Sequence, residues 1–322
     1  MSTKKLSDHD NISDEEMVEA ISRSGYLLER RVATLLGKVG YKAVANRGFI
    51  DSETGKSREY DVYAYKSISV YNTGSHEIYP TLICECKNNP RPIAFFIKEE
   101  AFEPFVDEVK VSGIPAKIWL NDKCISIQEF AKMKSFHHYC KPEVPVSTQC
   151  CTFEVKKDRS SWMASHGEEL YETFRTMIKA LEHAIDEDFS AMSQWFVAEE
   201  PEKEFMDLSF YYPVVIFQGD LFSAHIENNR PILKKCEHIQ YNPEFFSFYH
   251  NEVINYHVDV ISEEYLQSYL NIIDREMLTI KKLLQKQKKD VLLSIYKIIE
   301  ECKGLKKTPK TYRKYLEFDS YR

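Results

Sequence analysis

Apolar residues recur at helical spacing early in the chain: Met17 and Ile21, then Leu28, Val32, Leu35 and Val39, in steps of three and four. The stripe is interrupted at Ser24-Gly25 and runs out near Gly37 and Gly40, which predicts one or two amphipathic helices between Asp14 and Leu36. Three strand-like runs follow. Tyr41 to Ile50 ends at the turn-forming stretch Asp51 to Gly55. In Glu59 to Tyr65, Tyr60, Val62 and Ala64 alternate with Asp61, Tyr63 and Tyr65. Thr81 to Lys87 is a short apolar run of the kind found in the buried middle of a sheet, and it ends abruptly in charge and Asn-Asn-Pro.

Further strands are expected at Ile93 to Ile97, Ala116 to Leu120, Tyr212 to Ile226 and Ile254 to Ile261. Helices are expected at Ser126 to Tyr139, with Ser126 as its cap, and from about Gly167 to Asp188. A last long helix is expected over 262–302, with an apolar stripe of Leu278, Leu284, Val291, Ile295 and Ile298 and a lysine-rich end that includes Lys286 and Lys289. No internal repeat is found. Pro142 to Thr148 and Ser190 to Glu204 are the stretches best suited to a domain boundary.

The composition narrows the function classes. With 322 residues and 43% hydrophobic content the chain can bury one large core or two modest ones. Its 43 Lys and Arg against 50 Asp and Glu give a net charge of -7, so any nucleic-acid contact must come from a local basic patch. The sequence holds no apolar run near the ~20 residues of a membrane span, and its first residues lack a signal-peptide core, so a cytoplasmic protein is expected. The eight cysteines include no CxxC pair, and reduced thiols without structural zinc are expected.

Glu-x-Lys occurs four times, at Glu85, Glu108, Glu154 and Glu301, so the spacing alone decides nothing. Only Glu85 lies inside an apolar strand with an acid, Asp61, on the strand before it and another, Glu29, on the preceding helix. Residues i and i+2 of a strand share a face, so Glu85 and Lys87 project together, and an antiparallel neighbour brings Asp61 beside them. Carboxylates crowded into a partly dry pocket repel one another and stay protonated unless a cation neutralises them. Hard oxygen ligands suit Mg²⁺, with Mn²⁺ as a substitute. Such an ion assists phosphodiester hydrolysis, and Lys87 adds a fixed positive charge. Taken singly, each acid is more simply a solvated or structural residue; the ordered combination carries the reading.

Gly25 to Glu29 opening a helix, Arg58 to Ala64 on one strand and Leu82 to Lys87 on the next resemble the PD-(D/E)xK nuclease superfamily over roughly residues 15–140. The resemblance implies a restriction-endonuclease-like fold, an α-β-β-β-α-β core with a mixed central sheet flanked by helices. It also implies Mg²⁺ held by Asp61, Glu85 and the backbone carbonyl of Cys86, with Glu29 as a ligand or water-orienting acid. Tyr60 stands where the motif's name has Pro.

The expected organisation is α/β. A mobile tail covers 1–14, the nuclease core 15–145, a C-terminal α/β extension or accessory lobe 146–303, and a basic tail 304–322. Asn88, Asn89 and Arg91, just past the catalytic strand, are expected to touch substrate, with Lys286 and Lys289 on the phosphate backbone. The expected partner is nucleic acid, DNA ahead of RNA, with no membrane. A homodimer suits paired cuts, and a protein partner leaves no sequence signal. Use in restriction, phage defence or repair is association with the superfamily. The alternatives are an RNA-cleaving enzyme of the same fold and a non-catalytic nucleic-acid or protein interaction module.

Other motifs carry less. His137, His138 and Cys140 have ligand chemistry, but neighbouring residues on a helix diverge by about 100°, which favours exposed or capping roles. Walker A, GxGxxG and GxSxG sequences are absent. The aromatic cluster from Phe245 to Tyr249 is read as core ahead of base stacking.

Overall fold

A computed structural model describes residues 12–72, 74–89, 91–98, 109–120, 123–141, 143–156, 160–165, 167–198, 205–247 and 250–303. The tail expected over 1–14 lies outside these up to residue 11, and the basic tail over 304–322 lies outside them entirely.

Ser13 starts the first helix with a capping box. Its hydroxyl accepts the Glu16 N–H, and the Glu16 carboxylate accepts the Ser13 N–H in return. That helix, α1 (Asp14–Arg23), stops at Ser24, and α2 (Tyr26–Lys38) starts after Gly25, so the interruption in the apolar stripe is a real break. Strands β1 (Lys42–Ile50), β2 (Ser57–Tyr65), β3 (Ile68–Ser69), β4 (His76–Asn88) and β5 (Ile93–Ile97) follow. Next come β6 (Val111–Ile114), β7 (Lys117–Leu120) and β8 (Lys123–Ser126). Ser126 caps α3 (Ile127–Phe130), as its position suggests. The helix expected to reach Tyr139 breaks at Lys132, whose φ is 54°, and continues as two 3₁₀ turns. Strands β9 (Val146–Val155) and β10 (Trp162–Ser165) lead to α4 (Glu168–Ala198).

The single strand expected from Tyr212 to Ile226 is two, β11 (Met206–Gln218) and β12 (Leu221–Glu227), divided at Gly219. Then come β13 (Arg230–Cys236), β14 (His238–Tyr241), β15 (Glu244–Ser247), β16 (Glu252–Asn255) and β17 (Val258–Ser262). The long terminal helix is also two, α5 (Leu266–Lys286) and α6 (Lys288–Lys303), meeting at Gln287. Leu284, Val291, Ile295 and Ile298 of its stripe are buried, whereas Leu278 is exposed.

The protein is thus mixed α/β around a large mixed sheet of 13 strands, ordered β1-β2-β4-β11-β17-β14-β9-β5-β12-β13, with β3, β6 and β10 attached at its sides. Strands from both sides of residue 145 interleave in it. β11 lies parallel to β4 along all of β4's length and is buried almost throughout, as its nearly unbroken apolar sequence requires of a parallel strand covered on both faces. Each fully buried side chain of the size of Leu36 or Phe210 contributes about 1.5–3 kcal/mol. Among the described residues, no helix is long and apolar enough to cross a membrane.

Two polar clamps fix what surrounds the end of β4. Asp51 is buried at the β1–β2 turn, where it accepts from Arg58 Nε at 2.6 Å and Lys179 Nζ of α4 at 2.9 Å; these partners outweigh burial and lower its pKa. Arg31 of α2 pairs with Glu263 at the entry to α5 at 2.5 Å.

Candidate active site

β4 carries Glu85 near its C-terminal end, between two buried cysteines, and Glu85 itself is only 4% exposed. The β2–β4 ladder pairs Tyr65 with Thr81 through Val62 with Cys84 and ends there, so Asp61 stands at the point where β2 leaves β4. The Cys86 N–H donates to Asp61 Oδ2 at 2.7 Å, a side-chain oxygen bonding the strand where the ladder has stopped. The β1–β2 register also skips Asp61: Ala45 pairs with Val62 and Arg47 with Tyr60, while the intervening Asn46 has φ 54°. The strict alternation expected across Glu59 to Tyr65 therefore fails at Asp61. The Tyr60 and Tyr63 rings meet at 5.6 Å, and the Tyr60 hydroxyl reaches Ala180 and His183 of α4.

The sequence-predicted groups converge. The Asp61 and Glu85 carboxyls lie close enough that each shifts the other's protonation. Lys87 Nζ, on a half-exposed side chain, lies 3.4 Å from Glu85 Oε2. Glu29 projects from the first turn of α2, and its electrostatic neighbours are Asp61, Lys87 and Glu59. Its Oε1 and the Cys86 carbonyl oxygen lie 3.4 and 3.9 Å from where a Gly25 Cβ would stand, so the missing side chain at the helix break leaves open the space between them.

All three acids are held above their ordinary range. Burial raises Glu85 to about 8, with Asp61 adding to the rise and Lys87 opposing it. Burial also raises Asp61, opposed by the Cys86 N–H and Lys87. Glu29 is raised by burial and then by Asp61, again against Lys87. One ammonium group does not balance three acids, so the cluster favours a further cation. Its donors, carboxylates with a main-chain carbonyl beside them, are the hard oxygen set that suits Mg²⁺ or Mn²⁺.

Asn88, Asn89 and Arg91 follow Lys87 directly. The Asn89 side chain accepts the Arg91 N–H at 3.1 Å, and the Arg91 guanidinium donates to the Phe153 carbonyl at 3.3 Å. Lys286 and Lys289 are not brought to the site. The α5 end packs at the opposite end of β4: Gln285 donates to the Val70 carbonyl, Tyr71 to the Leu284 carbonyl, and Lys288 lies over the Tyr71 ring. Nine residue steps along β4 from His76 to Glu85 amount to a separation of about 30 Å.

His137 and His138 are buried, contrary to the exposed role expected, and neither diverges from the other as on a helix. His137 precedes a 3₁₀ turn in extended conformation, and the two rings stack at 4.7 Å. A capping role does hold for His137, whose Nδ1 accepts the Tyr139 N–H at 3.2 Å. His138 bridges Glu276 Oε1 at 2.9 Å and Asp259 Oδ2 at 3.0 Å, and Asp259 also takes His238 and Tyr269. Among the described residues, His137, His138 and Glu276 are the group whose ligand atoms lie within 4.8 Å of one another. Their hydrogen bonding suits a proton better than a metal. With Nδ1 accepting, neutral His137 carries its hydrogen on Nε2, the atom facing Glu276 at 3.5 Å, so no lone pair points there. Burial alone would lower His138, but Glu276 and Asp259 raise it to about 10, which makes it an imidazolium between two carboxylates. The seven cysteines other than Cys302 are free thiols.

Searches against protein-family models, curated proteins and solved structures find no match to this chain.

Proposed function

We propose that the chain is a metal-dependent nuclease that hydrolyses phosphodiester bonds of DNA. The observation that carries this reading is the convergence of Glu29, Asp61, Glu85 and Lys87 at the fork between β2 and β4, with every acid held above its ordinary pKa. The element order α2, β1, β2, β4, α4, β11 supports a restriction-endonuclease-like core: a helix, three antiparallel strands, a helix, and a strand parallel to the third. In this reading α4 and β11 supply the second helix and fourth strand, so the core extends past residue 145, with residues 89–167 as an insertion.

Asp61, Glu85 and the Cys86 carbonyl would hold the divalent ion. When bound, Mg²⁺ supplies Lewis-acid stabilisation of the charge that builds on the phosphoryl oxygens. Lys87 adds a second positive charge, fixed at the strand end on the same face as Glu85. Glu29, with its raised pKa, orients the attacking water and accepts its proton. The bond from the water oxygen to phosphorus forms as the backbone P–O bond breaks, and the leaving alkoxide takes a proton from solvent.

The test incubates the full chain with circular DNA, linear DNA and RNA in Mg²⁺, Mn²⁺ or EDTA, beside Glu85→Ala and Lys87→Ala. Metal-dependent cutting lost in both variants supports the reading. Binding without cutting in any metal favours an interaction module, and cutting confined to RNA moves the substrate class.

A further inference from the structure

Beyond Lys87 the chain forms one wall of a cavity of about 630 Å³. The volume is that of a site for one small ligand or one nucleotide unit. Its lining carries both signs of charge: Lys87 and Arg91, with Glu154 of β9 and Glu168 and Glu169 in the first turn of α4. A lining of mixed charge disfavours ligands that carry a single charge. A bare phosphate is repelled by three carboxylates, and a metal ion by two cationic side chains. A nucleotide satisfies both, with its phosphate toward Lys87 and Arg91 and the N–H donors of its base toward the carboxylates.

The β9–β10 hairpin beside this cavity presents apolar side chains to solvent. Trp162 is 62% exposed, opposite Val155 in the register and followed by the exposed Met163. The Arg91 guanidinium lies 6.0 Å from the Trp162 ring, which ties this surface to the cavity wall. An exposed indole next to an arginine is a platform on which unpaired bases stack. In a duplex the base faces are stacked on one another and unavailable to it.

We propose that the cavity receives one unstacked nucleotide next to the phosphate held at Lys87, with a neighbouring base stacked on Trp162, so that the substrate is single-stranded DNA or a strand opened from its duplex. The proposal rests on the nuclease reading for its placement, but its binding test does not.

The full chain in EDTA is titrated with a short fluorescein-labelled single strand and with a hairpin duplex of the same sequence, and anisotropy gives the affinities. The single strand should bind at least about tenfold more tightly than the duplex, and Trp162→Ala should weaken it by about tenfold or more, with Trp162→Phe restoring most of the loss. Duplex binding should be unchanged by either substitution. Equal or tighter duplex binding, no binding of either probe, or single-strand affinity indifferent to Trp162→Ala would overturn the proposal. The exposed position of Trp162 leaves folding intact in both variants, which circular dichroism checks. Trp162-dependent strand binding without cleavage in Mg²⁺ would sink the catalytic reading alone. Duplex cleavage unaffected by Trp162→Ala would sink only this one.

Discussion

The carboxylate of Asp61 accepts the backbone N–H of Cys86 at 2.7 Å, one residue past the last β2–β4 register pair. One oxygen therefore serves the fold while the carboxyl group also faces Glu85. Asp61→Asn keeps an acceptor for Cys86 and removes the charge, so the variant should fold normally and lose activity. Metal-dependent cleavage should fall by about 10²-fold or more, and Mn²⁺ affinity measured by calorimetry should fall with it. Undiminished cleavage by Asp61→Asn would remove this residue from the site.

Lys87 is half-exposed and 3.4 Å from the buried Glu85 carboxylate. If it stabilises charge in the transition state, Lys87→Met should lower single-turnover cleavage by about 10²–10³-fold while changing DNA affinity by less than about tenfold. A purely structural lysine would give the reverse, weakened folding with unchanged turnover of the folded fraction.

The buried histidine network makes stability depend on pH in both directions. His138 is raised from 6.5 to about 10, so its contribution is complete below pH 6.5 and is lost as pH climbs toward 10. Burial lowers His137 from 6.5 to about 4, so its contribution is complete above pH 6.5 and is lost as pH falls toward 4. The network's own contribution is therefore greatest near pH 6.5, and urea denaturation of the parent chain and Glu276→Gln across pH isolates it as the difference between the two curves. Glu276→Gln should cost about 3–5 kcal/mol at that pH and flatten the alkaline decline. An alkaline decline as steep as in the parent chain would mean that the charge on His138 is not held by Glu276.

Gly113 has φ +113°, and a Cβ there would lie 2.0 Å from the Asp207 carbonyl oxygen of β11. Gly113→Ala should destabilise the protein by at least about 1–3 kcal/mol, seen as a lowered thermal midpoint, because the facing atom is backbone and has nowhere to go. An unchanged midpoint would show that the β6–β11 contact is dispensable.

Much of the site was legible because β4 has a strong local signal: an apolar run long enough to be buried, closed by Glu85 and Lys87 on one face. The break at Ser24-Gly25 was equally readable, and it sets where Glu29 falls. What lay beyond reach was long-range. The partner of β4 on its other side is β11, more than a hundred residues later, and its sequence runs apolar into β12 with only Gly219 to mark the turn. The His137-His138 pair misled because the helical pattern around Ser126 gave no sign of the left-handed Lys132 that ends it, nor of Asp259 and Glu276 arriving from elsewhere to pay for the burial. The acidic part of the lining beside Lys87 escaped for the same reason, since Glu154 and Glu168 share no spacing with β4.

The unequal support of β4 has a mechanical consequence. On one flank every residue from His76 to Asn88 is paired with β11; on the other, β2 is engaged only from Val62 to Tyr65. Glu85 and Lys87 are thus mounted on a rigid rail, while Asp61 hangs at a fork. Parting that fork would change the spacing of the two acids while leaving the β4–β11 pairing intact.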